Sequence, residues 1–204
     1  MNRETLRRCR VLPVITATDV DTTVQLSRTL AGSGLHALEI TLRTATGLDC
    51  IREVKAELPD MLIAAGTVTN PDELDRALAA GADFAVSPGL TTALLRAARD
   101  RDAFLLPGVA SASEVMQGME FGLDTFKLFP AEAVGGIALL KALSGPFPAV
   151  CFCPTGGLNT HNFREYLALP NVVCCGGSWM LSPELVSSGD WQGIAALAAD
   201  AMRP

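Results

Sequence analysis

The chain has 204 residues, 49% of them hydrophobic and only 5% aromatic, with 18 glycines. That is enough for one sizeable core built from Ala, Val, Leu and Ile. A net charge of −6 argues against nucleic acid or an anionic membrane as the main partner, since both call for a basic face, but it admits an anionic small molecule where local backbone dipoles bind it.

The opening "MNRETLRRCR" lacks the apolar core of a signal peptide and reads as a short polar helix. No run of the sequence is long and apolar enough to span a bilayer, so a cytoplasmic enzyme is the expectation. Short β-rich runs then recur: "VLPVITA" from Val11, "ALEITLR" from Ala37, "LIAAGTV" from Leu62 and "FAVSPG" from Phe84. The series continues with "FLLPGV" from Phe104, "TFKLFP" from Thr125, "AVCFCPTGG" from Ala149 and "VVCCGGS" from Val172. Their starts are spaced by 20 to 26 residues, and a helical stretch follows almost every one.

Between the strands, Leu48, Ile51, Val54 and Leu58 fall on one helical stripe. In "NPDELDRALAAG", Asn70 is a good N-cap, Pro71 suits the first helical position, Asp72 and Glu73 favour the positive end, and Gly81 can close the helix. "SASE", from Ser111 to Glu114, has the form of a capping box. Eight strand–helix units predict an α/β fold, a (β/α)8 TIM barrel with a short N-terminal helix, as a single domain over residues 1–204. The length lies near the roughly 200-residue lower end of that fold, so its loops must be lean. A flavodoxin-like sheet is the alternative, and three units would be surplus to it.

The six cysteines, Cys9, Cys50, Cys151, Cys153, Cys174 and Cys175, match no zinc spacing and read as reduced core thiols. His36 and His161 form no ligand or triad pattern, so neither metal nor cofactor is expected.

In such a barrel the chemistry sits at the C-terminal strand ends. By strand parity Glu39, Thr41 and Arg43 share one face, opposite Leu38, Ile40 and Leu42. Lys127 faces inward from "TFKLFP", although lysine is rarely buried unless paired or neutralised. Glu39, Arg43 and Lys127 are therefore expected to converge in one cavity. A buried ion pair between strands 2 and 6 is the plain alternative; the extra cation and the surrounding Thr and Gly residues favour a functional pocket. An ammonium in a desolvated pocket beside a second cation gives up its proton more readily. The free amine adds to a ketone to form an imine, an electron sink for carbon–carbon cleavage, while a carboxylate shuttles protons. Gly156-Gly157 after strand 7 and Gly176-Gly177-Ser178 after strand 8 stand where such barrels often bind phosphate; simple turns are the alternative.

The chain resembles the 2-keto-3-deoxy-6-phosphogluconate (KDPG)/4-hydroxy-2-oxoglutarate aldolases. The resemblance covers about Val11 to the end and rests on "LPVI", "LEITLRT", "AAGTVTNPDEL", "SPGLT", "LLPGVASASE", "FKLFPAE", "GPF", "CPTGG" and "GGSWM". It implies Lys127 as the Schiff-base lysine, Glu39 as the general acid and base, and Arg43 with Thr67 on the pyruvate carboxylate. It further implies Thr155 near the substrate hydroxyls, Gly156, Gly157 and Ser178 as the phosphate cradle, and Pro88 and Phe129 as pocket lining. A (β/α)8 barrel, a homotrimer and a place in the Entner–Doudoroff pathway are implied too, with a 2-oxo acid phosphate as substrate. "TLR" and "CPTGG" favour the gluconate over the related 2-keto-3-deoxy-6-phosphogalactonate aldolases. Two rival readings are a phosphate-binding barrel isomerase or epimerase, with Lys127 only a clamp, and a non-catalytic sugar-phosphate binder.

Overall fold

A computed structural model describes residues 2–203. The first element is helix α1 (Arg3–Cys9), capped by the Asn2 side chain, which accepts from the Thr5 N–H. Strand β1 (Val11–Ile15) leads into α2 (Val20–Gly32), and β2 (Ala37–Thr41) into α3 (Gly47–Glu57). On α3, Ile51 and Val54 are buried and Leu48 and Leu58 pack against the same core, as the stripe predicts. Strand β3 (Leu62–Gly66) is followed by α4 (Pro71–Ala79). There the Asn70 side chain caps Glu73 N–H, and Gly81 at φ +97° takes the left-handed turn that ends the helix. Next come β4 (Phe84–Val86), α5 (Thr92–Asp100), β5 (Leu105–Leu106), β6 (Gly108–Val109) and α6 (Ala112–Met119). At the start of α6, Ser111 Oγ accepts from Glu114 N–H, and the Glu114 carboxylate accepts from Ser111 Oγ and from Ala110 N–H. The chain finishes with β7 (Thr125–Leu128), α7 (Gly136–Ser144), β8 (Cys151–Pro154), α8 (Phe163–Leu167), β9 (Cys175–Gly177), α9 (Pro183–Ser188) and α10 (Trp191–Met202).

All strand pairs are parallel. Six strands form one sheet in the order β5-β4-β3-β2-β1-β9, and three form another in the order β6-β7-β8. The expected fifth strand is thus two short ones, separated by Pro107. Proline has no N–H to give to a ladder. Its carbonyl still accepts from Lys127 N–H, so the chain changes ladder partner there. The expected eighth strand begins at Cys175 instead of Val172. Isolated bridges pair Phe152 with Val172 and Thr155 with Gly176. The residue offset grows by one between them, which marks a bulge. As a result two successive residues, Val173 and Cys174, both enter the inner core.

That inner core gathers small side chains from facing strands, among them Leu12, Ala37, Ala64, Leu106 and Cys153, with Leu6 and Cys9 of α1 closing its N-terminal end. A larger outer core lies between strands and helices and holds Leu38, Ile40, Phe126 and Leu128. All six cysteines are unpaired and buried, as core thiols should be. Among the described residues no helix is long and apolar enough to cross a membrane.

Candidate active site

Leu38 and Ile40 face the helices, so alternation along β2 turns Glu39 to the inner side. The same alternation on β7 sends Phe126 and Leu128 outward and Lys127 inward. The two inward residues meet: Lys127 Nζ lies 3.4 Å from Glu39 Oε1, with side-chain exposures of 5% and 1%. The Lys127 ammonium also sits 5.0 Å from the ring centre of Phe129, a favourable seat for a cation. Such a pair is costly to bury as two charges. A proton handed from Nζ to the carboxylate would free the amine as a nucleophile, and the acceptor is already in place.

Arg43 departs from expectation. Strand β2 ends at Thr41, and the backbone turns, so parity no longer governs Arg43. Its side chain is exposed and donates from Nε to Thr67 Oγ1 at 3.3 Å. Two ionisable residues, not three, are therefore buried together, with the third at the rim. Thr67 itself has φ +60°, a left-handed conformation that β-branched residues avoid. Strain of this kind, about 1–3 kcal/mol, gathers at functional sites.

The other expected residues lie at or just beyond the C-terminal ends of strands. Pro88 follows β4, and its carbonyl side presses so closely on Gly108 that no Cβ fits there. Thr155 is buried at the end of β8, its Oγ1 3.9 Å from Cys153 Sγ. Gly156 and Gly157 have φ +99° and +86°, and the loop after β7 docks on them: Ala131 N–H donates to Thr155 O and Glu132 N–H to Gly156 O. A Cβ on Gly157 would lie 2.6 Å from Glu132 Cβ, so glycine is needed here for conformation and for close approach. In the second pair the missing side chains serve close packing. A Cβ on Gly176 would strike Thr155, and one on Gly177 would strike the Trp179 ring, so both make room for side chains. Ser178, just beyond them, is exposed.

Four further residues at or beside these positions carry no assignment from sequence. Gly66 lies so close under Glu39 that a Cβ would sit 2.6 Å from its Cγ. Its signal, a glycine at the end of an apolar strand, has too many other meanings to be read alone. Thr41, on the Glu39 face by parity, keeps a buried Oγ1 with no hydrogen-bond partner among the described residues. Glu132 accepts from the Tyr166 hydroxyl, and burial and that carboxylate push the phenol well above its ordinary range. Cys153, paired in register with Lys127, has its thiol pulled down by a hydrogen bond with Cys174 and by the lysine charge, against burial.

A parallel α/β scaffold with a buried lysine–carboxylate pair near its strand ends defines a class: enzymes that activate a carbonyl through an amine. The comparisons are narrower. The model of the KDPG and KHG aldolase family matches residues 3–197. The chain is 52% identical to the 2-dehydro-3-deoxy-phosphogluconate aldolase of Pseudomonas aeruginosa, over 96% of this chain and 89% of the relative. It is similar to the crystal structure of KDPG aldolase from Legionella pneumophila with pyruvate captured as a covalent carbinolamine, with a TM-score of 0.96, 44% identity and 98% coverage of both chains. It is also similar to the Zymomonas mobilis KDPG aldolase with 3-phosphoglycerate, with a TM-score of 0.92, 41% identity, and coverage of 98% of this chain and 94% of that one. The chain belongs to the KDPG and KHG aldolase family.

Proposed function

We propose that the chain is a class I aldolase that cleaves KDPG to pyruvate and glyceraldehyde 3-phosphate, and opens 4-hydroxy-2-oxoglutarate through the same 2-oxo acid head. The observation that carries this reading is the buried contact of Lys127 Nζ with Glu39 Oε1. The Legionella relative, with pyruvate held as a carbinolamine, supports it.

The neutral Lys127 amine attacks the C2 ketone, and Glu39 relays the protons that turn carbinolamine into imine with loss of water. Arg43 and Thr67, already bonded to each other, hold the C1 carboxylate and fix the ketone against the amine. Removal of the C4 hydroxyl proton breaks C3–C4 and sends the electron pair into the imine, forming an enamine. Protonation at C3 and hydrolysis then release pyruvate and restore the amine. Thr155 borders the substrate hydroxyls, Pro88 and Phe129 line the pocket, and Gly156, Gly157 and Ser178 meet the phosphate. Oxaloacetate, with the same head, is decarboxylated by the same electron sink.

The two sheets act as one closed (β/α)8 barrel over a single domain, residues 1–204. Two features support closure: β5 and β6 are continuous through Pro107, and bridges run from β8 toward β9. A cytoplasmic homotrimer completes the proposal on the family resemblance, and analytical ultracentrifugation tests the trimer. Borohydride with pyruvate tests the chemistry, because reduction fixes an imine as a stable amine. Peptide mass mapping then finds pyruvate's carbons on Lys127; an unmodified Lys127 overturns the reading.

A further inference from the structure

Just past β7 stands a carboxylate that the proposed mechanism does not use. Glu132 lies against the second glycine of the proposed phosphate cradle: a Cβ on Gly157 would stand 2.5 Å from its Cγ and 2.6 Å from its Cβ. The Glu132 N–H donates to Gly156 O at 3.1 Å. From the other side, Asn162 Nδ2 donates to Gly157 O at 3.3 Å. The cradle is thus held between the segment after β7 and the turn before α8.

A carboxylate beside a phosphate site is a liability, because two anions a few ångströms apart repel strongly once water is partly excluded. Among the described residues, no lysine or arginine lines the hollow around Glu132, and a second acid, Glu165, does. A neutral donor takes hold of the charge instead. Glu132 Oε1 accepts from the Tyr166 hydroxyl. Both atoms crowd Gly136, where a Cβ would come within 2.6 Å of the hydroxyl and 3.2 Å of Oε1. Glu132 therefore lays its stem along Gly157 and carries its charged end on toward α7 and α8. Tyr166 is fully buried, so packing fixes its ring. Burial first, and then the carboxylate itself, push the phenol well above its ordinary range, so the donor keeps its proton.

We infer that Tyr166 is a positioning residue for phosphate recognition: it tethers the Glu132 carboxylate clear of the Gly156–Gly157 cradle, which then meets the phosphate of the substrate unopposed. The inference rests on the aldolase and phosphate-cradle readings above. Tyr166 acts through Glu132 and touches no substrate atom. A phosphorylated substrate feels the tether; 4-hydroxy-2-oxoglutarate, which has no phosphate, does not.

The test compares KDPG with 4-hydroxy-2-oxoglutarate on the full chain. Tyr166→Phe removes the tether and keeps the ring. Glu132 is exposed, so water can replace the lost bond, and circular dichroism verifies that the variant folds. Its KM for KDPG is expected to rise about five-fold or more with kcat little changed, while both constants for 4-hydroxy-2-oxoglutarate stay as they were. Tyr166→Phe combined with Glu132→Gln removes the charge too, and should bring the KM for KDPG back close to that of the unaltered enzyme. Glu132→Gln alone keeps an acceptor for the phenol and should not raise that KM, an arm that reads the charge without altering Tyr166. The inference is overturned by an unchanged KM in folded Tyr166→Phe, an equal loss on both substrates, a double variant as weak as the single one, or a raised KM in Glu132→Gln. An unaltered enzyme whose KM for KDPG is no lower than for 4-hydroxy-2-oxoglutarate removes the phosphate cradle, and the inference with it. Failure of borohydride and pyruvate to label Lys127 is a separate result, and it sinks the aldolase reading itself.

Discussion

Gly66 and Glu39 are locked together: a Cβ at position 66 would lie 2.6 Å from Glu39 Cγ and collide with Oε1. The carboxylate therefore keeps its place against Lys127 only because its neighbour on β3 has no side chain. Gly66→Ala must displace Glu39, and a shift of about 1 Å at a reacting group costs on the order of 10²-fold in rate. The expected outcome is a kcat lowered by at least that factor, with overpacking costing about 1–3 kcal/mol in stability. Urea titration and steady-state assays together check it, and full activity would contradict the placement of Glu39.

Glu39→Gln keeps the shape and removes the proton relay. Turnover should fall about 10²–10⁴-fold. Slow borohydride trapping should persist, since the amine remains. Exchange of pyruvate methyl protons with deuterated water, followed by NMR, should slow in parallel with turnover. Unaltered exchange would assign the relay to another group.

Much of this arrangement was legible in the sequence because it follows from alternation. Val11, Ala37, Leu62, Phe84 and Thr125 begin strands where expected. Parity on β2 and β7 suffices to bring Glu39 and Lys127 face to face. Alternation fails where the strand stops. Arg43 lies two residues past the end of β2, and its partner Thr67 adopts a positive φ that no propensity announces. The bulge that puts both Val173 and Cys174 inside depends on pairing across the sheet. Pairing between distant segments is invisible to local pattern. The room left by the glycines of "GGS" is filled by Thr155 and Trp179, packing partners that the local sequence does not reveal.

The orphaned hydroxyl of Thr41 gives a stability prediction. A buried polar atom without a partner costs about 1–3 kcal/mol. Thr41→Val removes the atom and nearly keeps the volume, so the variant should be more stable by about 1 kcal/mol. Thermal melts of the two proteins decide the matter; a destabilised variant would mean that the hydroxyl is bonded after all.

The buried thiols set an alkaline limit. Burial, with a smaller contribution from Cys153, pushes Cys9 up to about 11. A thiol in the unfolded chain ionises near its ordinary value of about 8.5–9. Between those values the unfolded state has lost the proton and the native state holds it, so stability is intact below pH 9 and falls as pH rises toward 11. One such proton contributes a slope of about −1.4 kcal/mol per pH unit. Cys174, Cys175 and Tyr166 are shifted upward as well and steepen the fall. In urea unfolding from pH 8 to 11, Cys9→Ala should be shallower by about that one-proton slope; an identical slope would show that Cys9 does not stay protonated.

Leu6 and Cys9 stopper one end of the inner core, and the reaction inherits a consequence. Above them the inner core is filled by Leu12, Ala37, Ala64 and Leu106, so the proposed chemistry can be reached only from the opposite strand ends. In the proposed mechanism the covalent bond to Lys127 outlives carbon–carbon cleavage, so the aldehyde should leave first and pyruvate last. Pyruvate should then compete with incoming substrate for the free enzyme, which product-inhibition kinetics would read.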